Sequence, residues 1–506
     1  MTYGTELSDV LVLALDIGTS STRAILFDRR GQAIHDSECQ IAYELTSTAD
    51  GGAELRAETL FETVCQTIDS ALAHATGAIA AVGISCFWHS LFGLNEAGDP
   101  ATPVYLWADT RSVSYVEAIK QEFNATELWS RTGCFVHSSY WPGKLRWLAD
   151  TDRARFASVR TWCAFSDYLL RRLLGYTATS VSMASATAMM NVETAQWDPL
   201  AIEAAKIDQS TLPPISADRV LLGPLAGEWV RRWPELSGSP WFAGYGDGAC
   251  ANIGSGGTGP KRIALTVGTS GAVRMVGPIK QFSKTQPDLW TYRVDTARAV
   301  VGAAISNGGK VIDWLAEISR GQTGDADWEA ASAMPVDQHG LTILPFLAGE
   351  RAPIWNDRAT ATISGLRLAT TRADLIRAGM EAVTWRLAGL YRSLTESIAG
   401  DHQIIANGGA ILHSPAWLQL LADAFEHPII ALRPGEEASA RGAALLALES
   451  AGFIDSLDDA DDPARDGRTI APRPEQAEMC RAAIARQDQL LKALYDRGGH
   501  PVLKNP

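Results

Sequence analysis

Two seven-residue stretches, ALDIGTS at 14–20 and ALTVGTS at 264–270, agree at five positions and stand 250 residues apart in a chain of 506. An offset of half the chain predicts two related halves, each opening with a strand that ends in a short polar turn. In the first copy, residues 10–15 are apolar without a break, Asp16 and Gly18-Thr19-Ser20 follow, and a second apolar run covers 24–27. An unbroken apolar run suits a strand covered on both faces, so the stretch reads as strand, turn, strand. Glycine lets the turn backbone approach a ligand. Thr19 and Ser20 add hydroxyls and Arg23 adds a fixed cation, a donor set suited to phosphate oxygens. Asp16 could hold a cation through water, since Mg²⁺ takes oxygen ligands and keeps several waters. An ordinary hairpin with a polar turn would look the same over this stretch alone. A pair of such turns, Gly18–Ser20 and Gly268–Ser270, can grip a polyphosphate from opposite sides. Thr266 stands where Asp16 stands, so only the first copy carries the carboxylate.

A chain of this length exceeds a single core. The boundary is expected near 258, just after the glycine-rich WFAGYGDGACANIGSGG (241–257), giving units 1–258 and 259–506. A net charge of −14 argues against nucleic acid or an anionic membrane as partner. It also requires any phosphate site to be locally positive. The seven cysteines are odd in number and form no CxxC pair, which fits a reducing cytoplasm and no structural zinc. The opening MTYGTELSD lacks the basic and apolar parts of a signal peptide. No apolar run approaches the roughly 20 residues of a membrane span.

Along the chain, a third strand is expected at about 33–45, a helix at 57–75 with one apolar face, and a buried strand at 79–86, an order β-β-β-α-β. Phe87-Trp88-His89 lies just beyond that strand, where open α/β sheets place ligands. VYLWADTR (104–111) sets Asp109 beside Arg111, and Arg111 is either a ligand for a substrate or the ion-pair partner of Asp109. Residues 112–235 read as mainly helical, with breaks at Asn124, Gly133, Pro142, Gly175, Pro199 and Pro213-Pro214. In the second half come the repeated strand and turn, Ser306-Asn307-Gly308-Gly309 opening a helix with free N–H groups, LPFLAGERAP (344–353), and a long helix at about 371–399. A strand then ends in Asn407-Gly408-Gly409, and an alanine-rich helix starts in 436–448. Asp247, between Gly246 and Gly248, is a candidate base whose backbone can lie against a substrate; a helix-capping aspartate is the other reading.

DIGTSSTRA, GDGACANIGSG, VGTSGAVR, SNGG and ANGGA, in this order and spacing, resemble the FGGY family of carbohydrate kinases over almost the whole chain. WHSLFGLN (88–95), LWADTRS (106–112), RTGCFVH (131–137), ASATAMMNVETAQWD (184–198) and LPFLAGERAPIW (344–355) are most similar to the family's gluconokinases. Trp88-His89 departs from their usual Met-His, and the segment after Val136 also differs.

The resemblance implies an α/β fold of two actin-like, ribonuclease H-like domains with ATP, Mg²⁺ and a sugar in the cleft between them. It implies Asp247 as the catalytic base, accepting the hydroxyl proton as the P–O bond forms. Asp16 would partner Mg²⁺. Gly18, Thr19, Ser20 and Arg23 would meet one side of the phosphates, Gly268, Thr269 and Ser270 the other. Gly308 and Gly309 would add N–H donors, and Gly408 and Gly409 would make room for adenine. Trp88, His89, Asp109, Asp247 and Gly248 would bind the substrate, with His89 donating to a carboxylate or hydroxyl of a sugar acid. The expected activity is transfer of the γ-phosphate of ATP to gluconate. Xylulose or another polyol is the alternative within the family, and an actin-like ATPase or a silent sugar sensor lies outside it. A homodimer is compatible with this reading.

Overall fold

The computed structural model of the chain describes residues 10–216, 225–282, 288–318, 325–396, 398, 400–435 and 437–495. The expectations for residues 1–9, for Glu436, and for parts of 112–235, 278–295, 371–399 and the C-terminal tail lie outside them.

In the first half, Leu11–Ile17 lies at the centre of a five-stranded sheet. It runs antiparallel to Ser21–Phe27 and parallel to Ile79–Cys86; Cys39–Ala42 follows on one side and Tyr245–Gly246 on the other. In the second half, Arg262–Val267 is antiparallel to Gly271–Pro278 and parallel to Gln403–Asn407. Arg298–Ile305 and Ile429–Ala431 follow, and Trp290–Arg293 and Arg468–Ile470 extend the edges. Over five strands the two sheets share one order and one set of directions, so the repeated motif reports a duplicated α/β unit.

Some local expectations shift. The third strand covers only Cys39–Ala42. Asp36 takes a left-handed φ of 59° and the Ser37 hydroxyl accepts the Leu26 N–H, so the chain turns where a longer strand was expected. Pro142 does not interrupt a helix. It lies in the first turn of Trp141–Thr151, where a missing N–H removes no helical bond.

Two helices join the halves. Asp247–Gly254 follows the last strand of the first sheet, and Ala438–Ser450 follows the corresponding region of the second. They cross with backbones touching: a Cβ on Gly254 would lie 1.8 Å from the Ala438 carbonyl oxygen, and one on Gly442 2.0 Å from that of Cys250. Ala438–Ser450 also covers the first half's sheet, where Gly83 leaves room for the Ala443 carbonyl. A second bridge lies elsewhere. Thr291 N–H donates to the Gly133 carbonyl, the Tyr140 and Tyr292 hydroxyls meet at 2.5 Å, and Phe135 stacks on Trp355.

Candidate active site

Strand register sets the site. Ile17 and Gly246 both pair with Cys86, so the carboxyl ends of three parallel strands stand level. Asp16 lies at the first end, Trp88 and His89 just past the second, Asp247 just past the third.

Asp16 accepts the Ser85 hydroxyl at 2.8 Å, while Arg23 lies 3.9 Å away. Burial, with the charge of Asp247 adding to it, pushes its pKa up to about 6. Asp247 is the first residue of its helix, and Gly246, not Asp247, is the N-cap. Its Oδ1 accepts the N–H groups of Gly248 (2.8 Å) and Trp88 (3.4 Å). Burial raises its pKa as well, against the opposing charge of Arg274.

The Trp88 ring lies against the Gly-Asp-Gly turn. A Cβ on Gly246 would come within 1.8 Å of the indole, and one on Gly248 within 2.4 Å. Its indole N–H goes to the Ser182 carbonyl, so Trp88 supports Asp247 and keeps no free donor.

His89 holds a φ of 66° and sets Nδ1 2.6 Å from the Ala186 carbonyl. A carbonyl only accepts, so Nδ1 carries the hydrogen. Burial holds the pKa down to about 3. The ring is therefore neutral and Nε2 offers a lone pair. That runs against the expected donor role: with Nδ1 given to Ala186, Nε2 of the neutral ring can only accept.

Asp109 is set apart. It is 1% exposed, and its oxygens already take the Arg111 side chain, the Arg111 N–H and the Ala53 N–H. Arg111 also reaches Glu54 and covers the Trp147 ring. Of the two readings of Arg111, the ion pair holds.

Arg23 is shared among Asp16, Glu38 (3.4 Å) and Glu437 (3.3 Å). The Ser20 and Thr269 tips of the two turns are exposed. The Gly308 and Gly309 N–H groups donate to the Thr269 and Gly268 carbonyls at 2.9 and 2.7 Å. They brace the second turn and are not the free donors expected, although 268–270, 308–309 and 408–410 do form one assembly. A Cβ on Gly309 would meet Ala410, and one on Gly408 the Val267 carbonyl.

Two arginines escaped the sequence reading. Arg274 donates to Thr266 Oγ1, and a Cβ on Gly248 would lie 2.8 Å from its Nη1, so it reaches from the second half to the Asp247 helix. Its signal was a lone charge inside the apolar run AVRMV. Arg351 donates to the Ile305 carbonyl and lies over the Trp107 ring at 4.8 Å.

Asp337, His339 and Glu381 also lie close enough together to hold a metal. However, His339 Nδ1 accepts the Leu341 N–H and so Nε2 donates to Glu381. Arg377 and Arg486 pair with the two carboxylates, which makes the cluster an ion-pair network.

No helix among the described residues is long and apolar enough to cross a membrane. Comparison with known proteins places the whole site inside two adjoining family models: the FGGY family of carbohydrate kinases, N-terminal domain, over residues 11–254, and the same family's C-terminal domain over 263–451. A gluconokinase of Bacillus subtilis is 29% identical over 467 residues, covering 88% of this chain and 89% of its own. A gluconate kinase from Lactobacillus acidophilus superposes with a TM-score of 0.87 at 27% identity, covering 96% of this chain and 98% of its own. A ligand-bound xylulose kinase from the same organism gives 0.88 at 27%, covering 96% and 99%. The two models match most of the chain, on a fold with the actin-like architecture of these kinases; the chain belongs to the FGGY family and is a carbohydrate kinase.

Proposed function

We propose that the protein transfers the γ-phosphoryl group of ATP to a hydroxyl of gluconate. The observation that carries the transfer is Asp247. It stands at the strand ends with its carboxylate oriented by two backbone N–H groups and the charge of Arg274 acting on it. A carboxylate so placed can take the acceptor's proton while the arginine meets developing phosphoryl charge. A mechanical ATPase has no use for that arrangement. The gluconokinase and gluconate kinase relatives support gluconate as acceptor.

The two exposed turn tips, with Arg23, would hold the phosphates; Gly408 and Gly409 would border adenine. The donor set also fits Mg²⁺. Asp16 and Asp247 are buried carboxylates that raise each other's cost of ionisation, and an oxygen-bound divalent cation relieves that repulsion. Asp16 would hold it through water, and the ion would neutralise phosphate charge. Domain units of 1–258 and 259–506 remain the working division, with the helix 438–450 belonging by sequence to the second and by packing to the first.

A coupled ADP-release assay across gluconate, xylulose, ribulose, glycerol and erythritol tests the reading. Gluconate should give the highest kcat/KM. The xylulose kinase overlay favours xylulose as the second reading, and a clear preference for it would replace gluconate. ATP turnover indifferent to every acceptor would remove the kinase mechanism.

A further inference from the structure

Resting on the reading of a sugar-acid acceptor, we propose that Arg351 is the residue that reads the acid, receiving the acceptor's carboxylate and so separating an aldonate from a neutral polyol of the same length.

Arg351 carries a buried charge without an ion pair. Arg351 Nη2 goes to the Ile305 carbonyl, while its buried Nε has no partner. Among the described residues, no carboxylate pairs with its guanidinium. Glu350, beside it in sequence, is the strongest opposite charge acting on it but makes no ion pair with its guanidinium. Its Oε1 accepts the backbone N–H groups of Ser306 and Arg351, and burial pushes its pKa up to about 7. A buried cation without an anion is costly, and a carboxylate in the cleft would supply what is missing.

The guanidinium lies over Trp107, and its charge acts on His89, Tyr140, Tyr292 and, at longer range, Asp247. The His89 ring is in contact with the Tyr140 and Tyr292 rings, and in the proposed function all three stand on the acceptor side. Of the other cations near the site, Arg274 and Lys144 are engaged elsewhere, while Lys310 forms no ion pair among the described residues and feels the charge of Arg351. Arg274 faces Asp247 and Thr266, on the side of the phosphate turn. Lys144 donates to the Ser138 carbonyl. Lys310 opens the helix behind the second turn.

A guanidinium is a planar fork that matches a carboxylate, and it stacks well on an aromatic ring. His89, neutral with a lone pair on Nε2, suits hydroxyls. The two residues therefore divide an aldonate between them: hydroxyl to His89, carboxylate to Arg351. In a chain of net charge −14, a dedicated cation is what lets an anionic acceptor enter.

Initial rates of the wild type, Arg351→Gln and the isosteric apolar variant Arg351→Met, with gluconate and with glucitol and xylulose as neutral acceptors, test this. Loss of a buried charge pair predicts that kcat/KM for gluconate falls about 100-fold, chiefly through KM, and that the preference for gluconate over the neutral acceptors falls by about the same factor. The rise in melting temperature caused by gluconate should vanish, while the rise caused by ATP persists and reports a folded chain. If Arg351→Gln does not fold, Arg351→Met is judged by the same ratio. An equal loss on acid and neutral acceptors overturns the proposal and leaves the gluconate reading intact. A wild type that phosphorylates xylulose or glucitol but no sugar acid overturns both.

Discussion

The turns at 18–20 and 268–270 carry the same three residues, Gly-Thr-Ser, yet they are built differently. In the first, Ile17 pairs with Thr22 and the Gly18 N–H reaches the Ser21 carbonyl. In the second, Val267 pairs with Gly271 and the Gly268 N–H reaches Ser270. The second turn is therefore one residue shorter. The first is held from one side by the Tyr43 hydroxyl, which donates to the Gly18 carbonyl. The second is packed against the Gly308-Gly309 backbone. The first strand ends with the carboxylate of Asp16, the second with Thr266, whose hydroxyl accepts from Arg274. One half thus brings acids to the cleft and the other a cation and a rigid neutral turn. Duplication supplied the frame, and divergence at a few strand ends gave the two halves different charges, which under the proposed function would put proton and metal handling on the first half while both turns hold phosphate.

If the acids of the first half carry the chemistry, Asp247→Asn is the most damaging change. The amide keeps the shape but cannot take the proton, so kcat should fall by about 10³-fold or more while ATP still raises the melting temperature. Near-normal turnover would remove the base assignment and with it the division of labour. Asp16→Thr makes the first strand end like the second. It should lower turnover about 100-fold and raise the Mg²⁺ concentration needed. Adding Thr266→Asp should not restore it, because Arg274 already bonds that position. Restoration would mean that the two ends are interchangeable.

The glycines test the difference in bracing. A Cβ on Gly308 would lie 2.5 Å from the Ser270 carbonyl carbon, whereas one on Gly18 meets nothing nearer than 3.1 Å. Backbone cannot yield as a side chain can. Gly308→Ala should therefore raise the KM for ATP about 10-fold, and Gly18→Ala less than about threefold. Equal effects would show the two turns to be held alike.

Asp16 also links function to stability. Its folded pKa of about 6 lies above the ordinary 3.8 of an aspartate, so the folded chain binds this proton more tightly than the unfolded one. Stability in the absence of metal should rise as pH falls from about 6 towards 4, and the burden is fully present above 6. Asp16→Asn, which removes the charge, should stabilise the metal-free protein at neutral pH by about 1–3 kcal/mol. Denaturant melts with and without Mg²⁺ at pH 5 and 7.5 measure this. His89, neutral throughout that range, should add no limb to the rate profile.

Much of this was legible in the sequence, and the omissions have physical causes. The repeat located both strands and both turns because a doubly covered strand must be apolar and a turn must not. The register slip left no trace, since ALDIGTS and ALTVGTS align without a gap and only pairing across the hairpin reveals the shorter loop. The alanine-rich helix at 438–450 was legible as a helix but not as a cover for the first sheet, because small residues pack equally well on either. His89 was located correctly and its polarity was not, since the tautomer is fixed by Ala186, a residue 97 positions away. Arg274 did leave a signal, a charge amid apolar residues in a strand. Such a residue must find a partner or a ligand, and here it finds the facing half.

The smallest effect probes the least obvious part of the comparison, the Tyr43 hydroxyl. It closes the longer turn through one hydrogen bond to a carbonyl, work done in the other turn by two backbone N–H groups. Tyr43→Phe keeps the ring and removes the bond, and a single neutral hydrogen bond contributes about 0.5–1.5 kcal/mol net. If the turn holds phosphate in ground and transition state alike, the KM for ATP should rise by about two- to tenfold with kcat nearly unchanged. A drop in kcat at constant KM would mean instead that the first turn tightens only as phosphate transfers. The longer loop would then be a moving part, and its extra residue the reason it can move.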